Sequence, residues 1–157
     1  KYLELQYPLQ LCTPNASSWG DKGYNEVWLN GKNDWIYRHL HKAGEKMIAL
    51  ATNFPKSEDI LRDALNQAAR ELLLAQSSDW PFIMTTGTMD SYAKSRITSQ
   101  LIRFLKLERQ IWENRIDVSW LRQLEATDNL FPHLDYHLFQ NLEQTVAVEK
   151  DKLAEIT

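Results

Sequence analysis

Two short runs in the chain set polar side chains directly beside indoles. In Ala75-Gln76-Ser77-Ser78-Asp79-Trp80-Pro81-Phe82, a polar quartet follows straight after the apolar stretch Leu72-Leu73-Leu74-Ala75. Polar groups in such a place need hydrogen-bond partners or a ligand. Pro81 biases Trp80 toward extended backbone, so the sequence predicts a break there, with Asp79 and Trp80 presented from a turn. The same residues also fit a purely structural role, in which Gln76 to Asp79 satisfy open helix-end carbonyls and neighbouring caps while Trp80 fills core. In the second run, Ser17-Ser18-Trp19-Gly20-Asp21-Lys22-Gly23-Tyr24-Asn25-Glu26-Val27-Trp28, two tryptophans flank a glycine-bearing polar loop. Such a loop suits a carbohydrate, because an indole covers the apolar face of a sugar while hydroxyls and amides read its hydroxyl groups. It equally suits anchoring of the loop to the rest of the fold.

Other chemistries are less well served. His39 and His41 are two residues apart and point to opposite sides of a helix, which spoils a shared metal site. His133, Asp135 and His137 have ligand-like spacing, but behind Pro132 they read first as a solvated turn. The serines lack a glycine elbow and Cys12 has no histidine nearby in sequence, which speaks against covalent catalysis by either. Spacing alone locates no pair of carboxylates for acid and base work.

The elements that position these residues follow from periodicity. Five of the ten prolines and glycines (Pro8, Pro14, Gly20, Gly23, Gly31) precede residue 32, so a loop-rich head is expected before a body. In the body, Ile36, Leu40, Ala43, Met47 and Leu50 recur at helical spacing behind Asn33 as N-cap and before Asn53-Phe54-Pro55. Ser57 is placed to cap a second helix with Glu58 and Asp59 in its first turn and Leu61, Leu65, Ala68 and Leu72 as its stripe. Its end, Leu72 to Ala75, has no polar face and is expected to be buried on all sides. Thr88 is placed to cap the longest helix, with Ile97, Leu101, Phe104 and Leu105 inward and an end near Asn114; Asp117 then caps a short helix bearing Trp120, Leu121 and Leu124. The expectation is an all-α fold: an extended, irregular segment over residues 1–32 that wraps the bundle through Leu3, Leu5, Tyr7 and Leu9, a bundle of about four main helices over 33–140, and a weakly helical or disordered tail over 141–157.

The 157 residues carry 18 Lys plus Arg against 21 Asp plus Glu, a net charge of -3, which supplies no basic face for nucleic acid. No stretch is long and apolar enough for a membrane span, so no membrane is expected as partner. The lone Cys12 excludes an internal disulfide and favours a reducing, cytoplasmic setting, where the Asn15-Ala16-Ser17 sequon is chance. The chain starts at Lys1 amid an alternating Tyr2, Leu3, Leu5, Tyr7 pattern, which reads as a piece of a longer protein.

The runs Ser17-Ser18-Trp19-Gly20, Gly23-Tyr24, Val27-Trp28-Leu29-Asn30 and Trp35-Ile36-Tyr37-Arg38-His39-Leu40-His41 together resemble the C-terminal helical region of bacterial and archaeal α-glucan branching enzymes of glycoside hydrolase family 57. Leu72 to Ile83 is similar to the last conserved region of that family in its branching-enzyme form, and Asp128-Asn129-Leu130-Phe131-Pro132 with Asp135-Tyr136 also fits. The resemblance covers residues 15 to 139. It implies an enzyme that cuts an α-1,4-glucan, holds the donor as a covalent ester and passes it to a 6-hydroxyl with retention, as part of glycogen-type synthesis. Such chemistry uses two carboxyl groups about 5 to 5.5 Å apart. In the family these sit on an incomplete (β/α) barrel whose motifs are absent here, so the catalytic residues are expected upstream of Lys1, none in this chain, and the isolated chain is expected to be inactive. The resemblance makes that barrel and an α-glucan the partners, Trp19, Trp28, Asp79 and Trp80 the substrate-binding residues, and metals or organic cofactors unnecessary. A related amylase or 4-α-glucanotransferase differs only in the acceptor, and a stand-alone helical binding module is the reading from another class.

Overall fold

A computed structural model describes residues 12–141. The expected wrapping through Leu3, Leu5, Tyr7 and Leu9, and the expected tail over 142–157, lie outside the described residues. Within them the chain forms α1 (Trp35–Asn53), α2 (Asp59–Ala75), α3 (Asp79–Thr86), α4 (Asp90–Trp112) and α5 (Val118–Thr127), with 3-10 turns at Asp21–Gly23 and Tyr136–Phe139 and no strand. The four longer helices are those the apolar periodicity marks.

Helices α2 and α4 are the most extensively packed pair; α1 lies against both, α3 against α4 and α5 against α2. Their shared core contains Met47, Leu50, Leu65, Leu72, Ile97, Phe104, Leu107 and Leu121, each essentially fully buried. Each such side chain contributes about 1.5 to 3 kcal/mol relative to an exposed position. The α1 stripe is buried throughout, from Ile36 to Leu50. Two details depart from the periodic reading. Leu105 is 44% exposed, because its neighbour Phe104 takes the inward position and the next residue sits about 100° around the helix. Leu73 and Leu74 are half-buried rather than enclosed, since the partners of α2 leave part of its end open.

The caps are less faithful to the sequence than the stripes. Asp117 does cap α5, accepting from Trp120 N at 3.0 Å. Asn33, Ser57 and Thr88 do not cap: the residues at those helix starts are Asp34, Glu58 and Met89. Each of the three hydroxyl or amide groups has a closer use. Ser57 donates to Phe54 O at 3.4 Å, Thr88 pairs with Thr86 at 3.2 Å, and Asn33 is buried in a network described below.

The largest correction concerns Pro81. The break expected at Trp80 is a helix, α3, which starts at Asp79 and contains Pro81 in its first turn. Proline is tolerated there because the first-turn N–H groups have no intrahelical acceptor. Gly87, at φ 74°, closes the helix in the left-handed conformation that glycine adopts without strain.

Candidate functional site

The loop before α1 is held by its own backbone and by one buried amide. Ser18 N donates to Gly23 O at 2.7 Å and Gly23 N to Gly20 O at 3.0 Å, while the Ser18 hydroxyl donates to Tyr24 O. Gly20 is required by contact: a Cβ there would lie 2.9 Å from the Trp28 ring and 3.0 Å from Val27. The absence of a side chain lets the Trp28 indole lie against the turn that carries Trp19. Asn33, fully buried, then ties the loop to α3, its side-chain nitrogen reaching Val27 O at 3.1 Å, Pro81 O at 3.2 Å and Thr85 Oγ1 at 3.0 Å. Thr85 donates to Val27 O at 2.6 Å, and Asn30 donates to Thr85 at 2.9 Å. The Tyr37 hydroxyl donates to the Trp28 carbonyl, and burial pushes its pKa further up, so it remains a donor.

These ties bring Trp19, Trp28 and Asp79 to one open cleft of about 220 Å³, which Ser78 and Phe82 also line. Trp19 and Trp28 meet edge to face with centroids 5.9 Å apart, and Phe82 lies 6.0 Å from Trp19 and 6.4 Å from Trp28. Trp19 is nonetheless 81% exposed. Asp79 accepts from Ser77 Oγ at 3.0 Å and is otherwise turned to solvent. Three rings, a hydroxyl and a carboxylate can stack on sugar faces and accept hydrogen bonds from sugar hydroxyls.

Trp80 is not among the residues lining this cleft. Its indole N–H donates to Leu74 O at 2.7 Å and its ring meets Tyr92 edge-on at 6.2 Å, so it closes the corner between α2 and α3. Ser78 comes from the polar quartet marked in the sequence, whereas Phe82 is a cleft residue to which the sequence reading gives no role. Asp79 and Phe82 are three apart, and a helical reading of that segment sets them side by side.

A second polar cluster lies inside the fold. Glu71 on α2, fully buried, accepts from Gln67 Nε2 at 2.8 Å, and its other carboxylate oxygen has no partner among the described residues. Burial pushes its pKa up to about 7, with the Asp128 carboxylate adding to the rise and Arg103 opposing it. Asp128, just beyond α5, accepts from Arg103, and Arg70 donates to Leu130 O at 2.6 Å. Glu71 and Asp128 are thus a close carboxyl pair, but both are buried and offer nothing to a sugar. The other ligand-like run is also internal business: His137 meets Asp135 at 2.5 Å and Pro55 O at 3.0 Å, fastening the turn after Pro132 to the start of α2. Among the described residues no group of three or more His, Cys, Asp or Glu is placed to hold a metal ion, and no helix is long and apolar enough to cross a membrane.

Comparison with known proteins assigns this architecture. The 1,4-alpha-glucan branching enzyme TK1436 of Thermococcus kodakarensis is 32% identical over 124 residues, which cover 73% of this chain and 18% of that protein. Among solved structures, the alpha-amylase AmyC of Thermotoga maritima superposes with a TM-score of 0.71 at 43% identity, over 88% of this chain and 25% of that one. The GH57-type branching enzyme of Pyrococcus horikoshii superposes with a TM-score of 0.78 at 31% identity, over 89% and 28% respectively. The chain therefore spans about a fifth to a quarter of the length of these relatives. Residues 39–139 match the family model for the C-terminal region of 1,4-alpha-glucan branching enzymes, and the chain belongs to that family.

Proposed function

We propose that this chain is the C-terminal helical domain of an α-glucan branching enzyme and that Trp19, Trp28 and Asp79 hold a glucan strand against it. The observation that carries this reading is the cleft itself: an indole left 81% exposed beside a second indole, a phenylalanine and an exposed carboxylate that, among the described residues, accepts from Ser77. Adjoining exposed rings of this kind mark ligand-binding grooves. Asp79 accepts a hydrogen bond from a glucose hydroxyl, and Trp19 and Trp28 cover the faces of successive sugars. Trp80 acts at one remove, holding the corner from which Asp79 projects.

The bond-making step lies elsewhere. Retaining transfer needs two carboxyl groups flanking the scissile bond, and this cleft holds one. The catalytic pair belongs to the remainder of a longer polypeptide, a barrel domain against which this unit forms one wall of the substrate path. The product is an α-1,6-branched, glycogen-like polymer made in the cytoplasm, a setting consistent with the exposed free thiol of Cys12.

Linkage analysis of amylose treated with the polypeptide that contains this chain together with a barrel domain tests the reading. New α-1,6 bonds without a matching rise in reducing ends are expected, and Asp79→Asn should slow their formation. A hydrolytic reading has one observation in its favour, the 43% identity to AmyC. Reducing ends accumulating without α-1,6 bonds would establish it instead.

A further inference from the structure

A second cleft, larger than the first at about 430 Å³, opens at the other end of α3. Trp35, Lys32, Asp90 and Lys94 line it, together with Gly31, Gly87 and the buried Met84. The two clefts share their walls. The segment from Trp28 to Lys32 contributes to both, and α3 gives Asp79 and Phe82 to one and Met84 to the other. Phe82 and Met84 are two residues apart, about 200° around α3, so the clefts open on different sides of the helix. The clamp of Asn30, Asn33 and Thr85 stands between them and fixes their relation.

The chemistry of this cleft matches a neutral polyol better than an ion. Lys94 is paired with Asp90 Oδ2 at 2.7 Å and Lys32 Nζ donates to Thr85 O at 3.1 Å, so the cleft carries one uncompensated positive charge rather than a cluster of them. Both keep N–H donors, and Asp90 keeps its second oxygen as an acceptor. Trp35 is half-buried and braced edge-on by His39 at 6.3 Å, which holds its ring in place. Gly31 and Gly87 leave bare backbone: a Cβ at either would meet nothing within 4 Å. A fixed indole, mixed donors and acceptors and open backbone form a surface for a sugar ring.

We propose that the Trp35 cleft is a second α-glucan-holding site on this domain, distinct from the cleft of Trp19 and Trp28. The proposal rests on the glucan reading given above and adds a place where the strand, or a second one, is gripped.

The test is a titration of the chain with maltoheptaose, followed through the indole N–H signals of its six tryptophans by ¹⁵N–¹H NMR, with signals assigned by single Trp→Phe exchanges. The Trp35 signal should move saturably in the parent chain and in Trp19→Ala, which disables the first cleft. In Gly31→Met the new side chain enters open space without backbone strain, since φ at Gly31 is not in the left-handed region. That variant should weaken the Trp35 response at least tenfold while the Trp19 and Trp28 signals respond as before. Movement of Trp19 and Trp28 with Trp35 unmoved, or a Trp35 response unaltered by Gly31→Met, overturns the second site and leaves the first reading standing. A Trp35 response that vanishes in Trp19→Ala shows one site rather than two. No movement of any indole overturns both.

Discussion

The cleft of Trp19, Trp28 and Asp79 and the seam of Gln67, Glu71, Arg103 and Asp128 are both polar, yet they are finished in opposite ways. In the seam most polar side chains are answered from within, Glu71 by Gln67, Asp128 by Arg103 and Arg70 by the Leu130 carbonyl, with the second Glu71 oxygen the exception among the described residues. In the cleft the loop is braced by backbone bonds such as Ser18 N to Gly23 O while the side chains stay open, with Trp19 largely exposed and Asp79, among the described residues, accepting from Ser77. Polar groups answered inside a fold hold it together; polar groups and rings left open on a braced loop are available to something else. Damage to the seam should therefore register as lost stability, and damage to the cleft as lost binding.

The largest expected effect is on the seam. Asp128→Ala removes the carboxylate that Arg103 donates to and should cost about 1.5 to 3 kcal/mol, measured by urea denaturation. The fraction that remains folded should bind maltoheptaose as the parent does. A weaker affinity at unchanged stability would erase the distinction between the two regions.

Next comes the pH dependence of Glu71. An unfolded glutamate ionises near 4.5, whereas the folded one does so near 7 because burial disfavours its charge. Between these values the folded chain keeps a proton that the unfolded chain has released, so this group's stabilising effect is complete below about pH 4.5 and is lost as pH rises through about 7. The loss is at most about 3 kcal/mol. Glu71→Gln keeps a hydrogen-bonding group without the charge, so relative to the parent it should gain stability as pH rises from 5 to 8. Parallel stability curves for the two proteins would contradict the assignment.

The cleft should behave the other way. Trp19→Ala removes an exposed ring, so its stability should change by less than about 0.5 kcal/mol. Its maltoheptaose affinity, read from the Trp28 indole N–H signal, should fall about tenfold, which corresponds to about 1.4 kcal/mol. Asp79→Asn is the mildest change, trading a charge-assisted hydrogen bond for a neutral one, and a loss of about fivefold is expected. A melting temperature lowered by several degrees in either variant would move these residues into the structural class.

Much of this division was legible in the residues themselves. Spacing of three and four found the four long helices because tertiary packing uses the same periodicity, and the Ile36 to Leu50 stripe went to the core without exception. The caps were less legible because Asn33, Ser57 and Thr88 have several backbone groups within reach, and non-local partners such as Pro81 O and Thr85 decided the matter for Asn33. Pro81 biases Trp80 toward extended backbone but is also tolerated in a first helical turn, and the helix it permits is what sets Phe82 beside Asp79 in the cleft. The seam was invisible for a different reason. Gln67 and Asp128 are 61 residues apart, and no local pattern marks a contact of that separation.

The most direct test of the central claim is a crystal structure of the chain with maltoheptaose. A sugar face should pack on Trp19 or Trp28, with a hydroxyl oxygen within about 3.2 Å of the Asp79 carboxylate. Oligosaccharide ordered on another face, with the cleft between Trp19, Trp28 and Asp79 empty at saturating ligand, would contradict it.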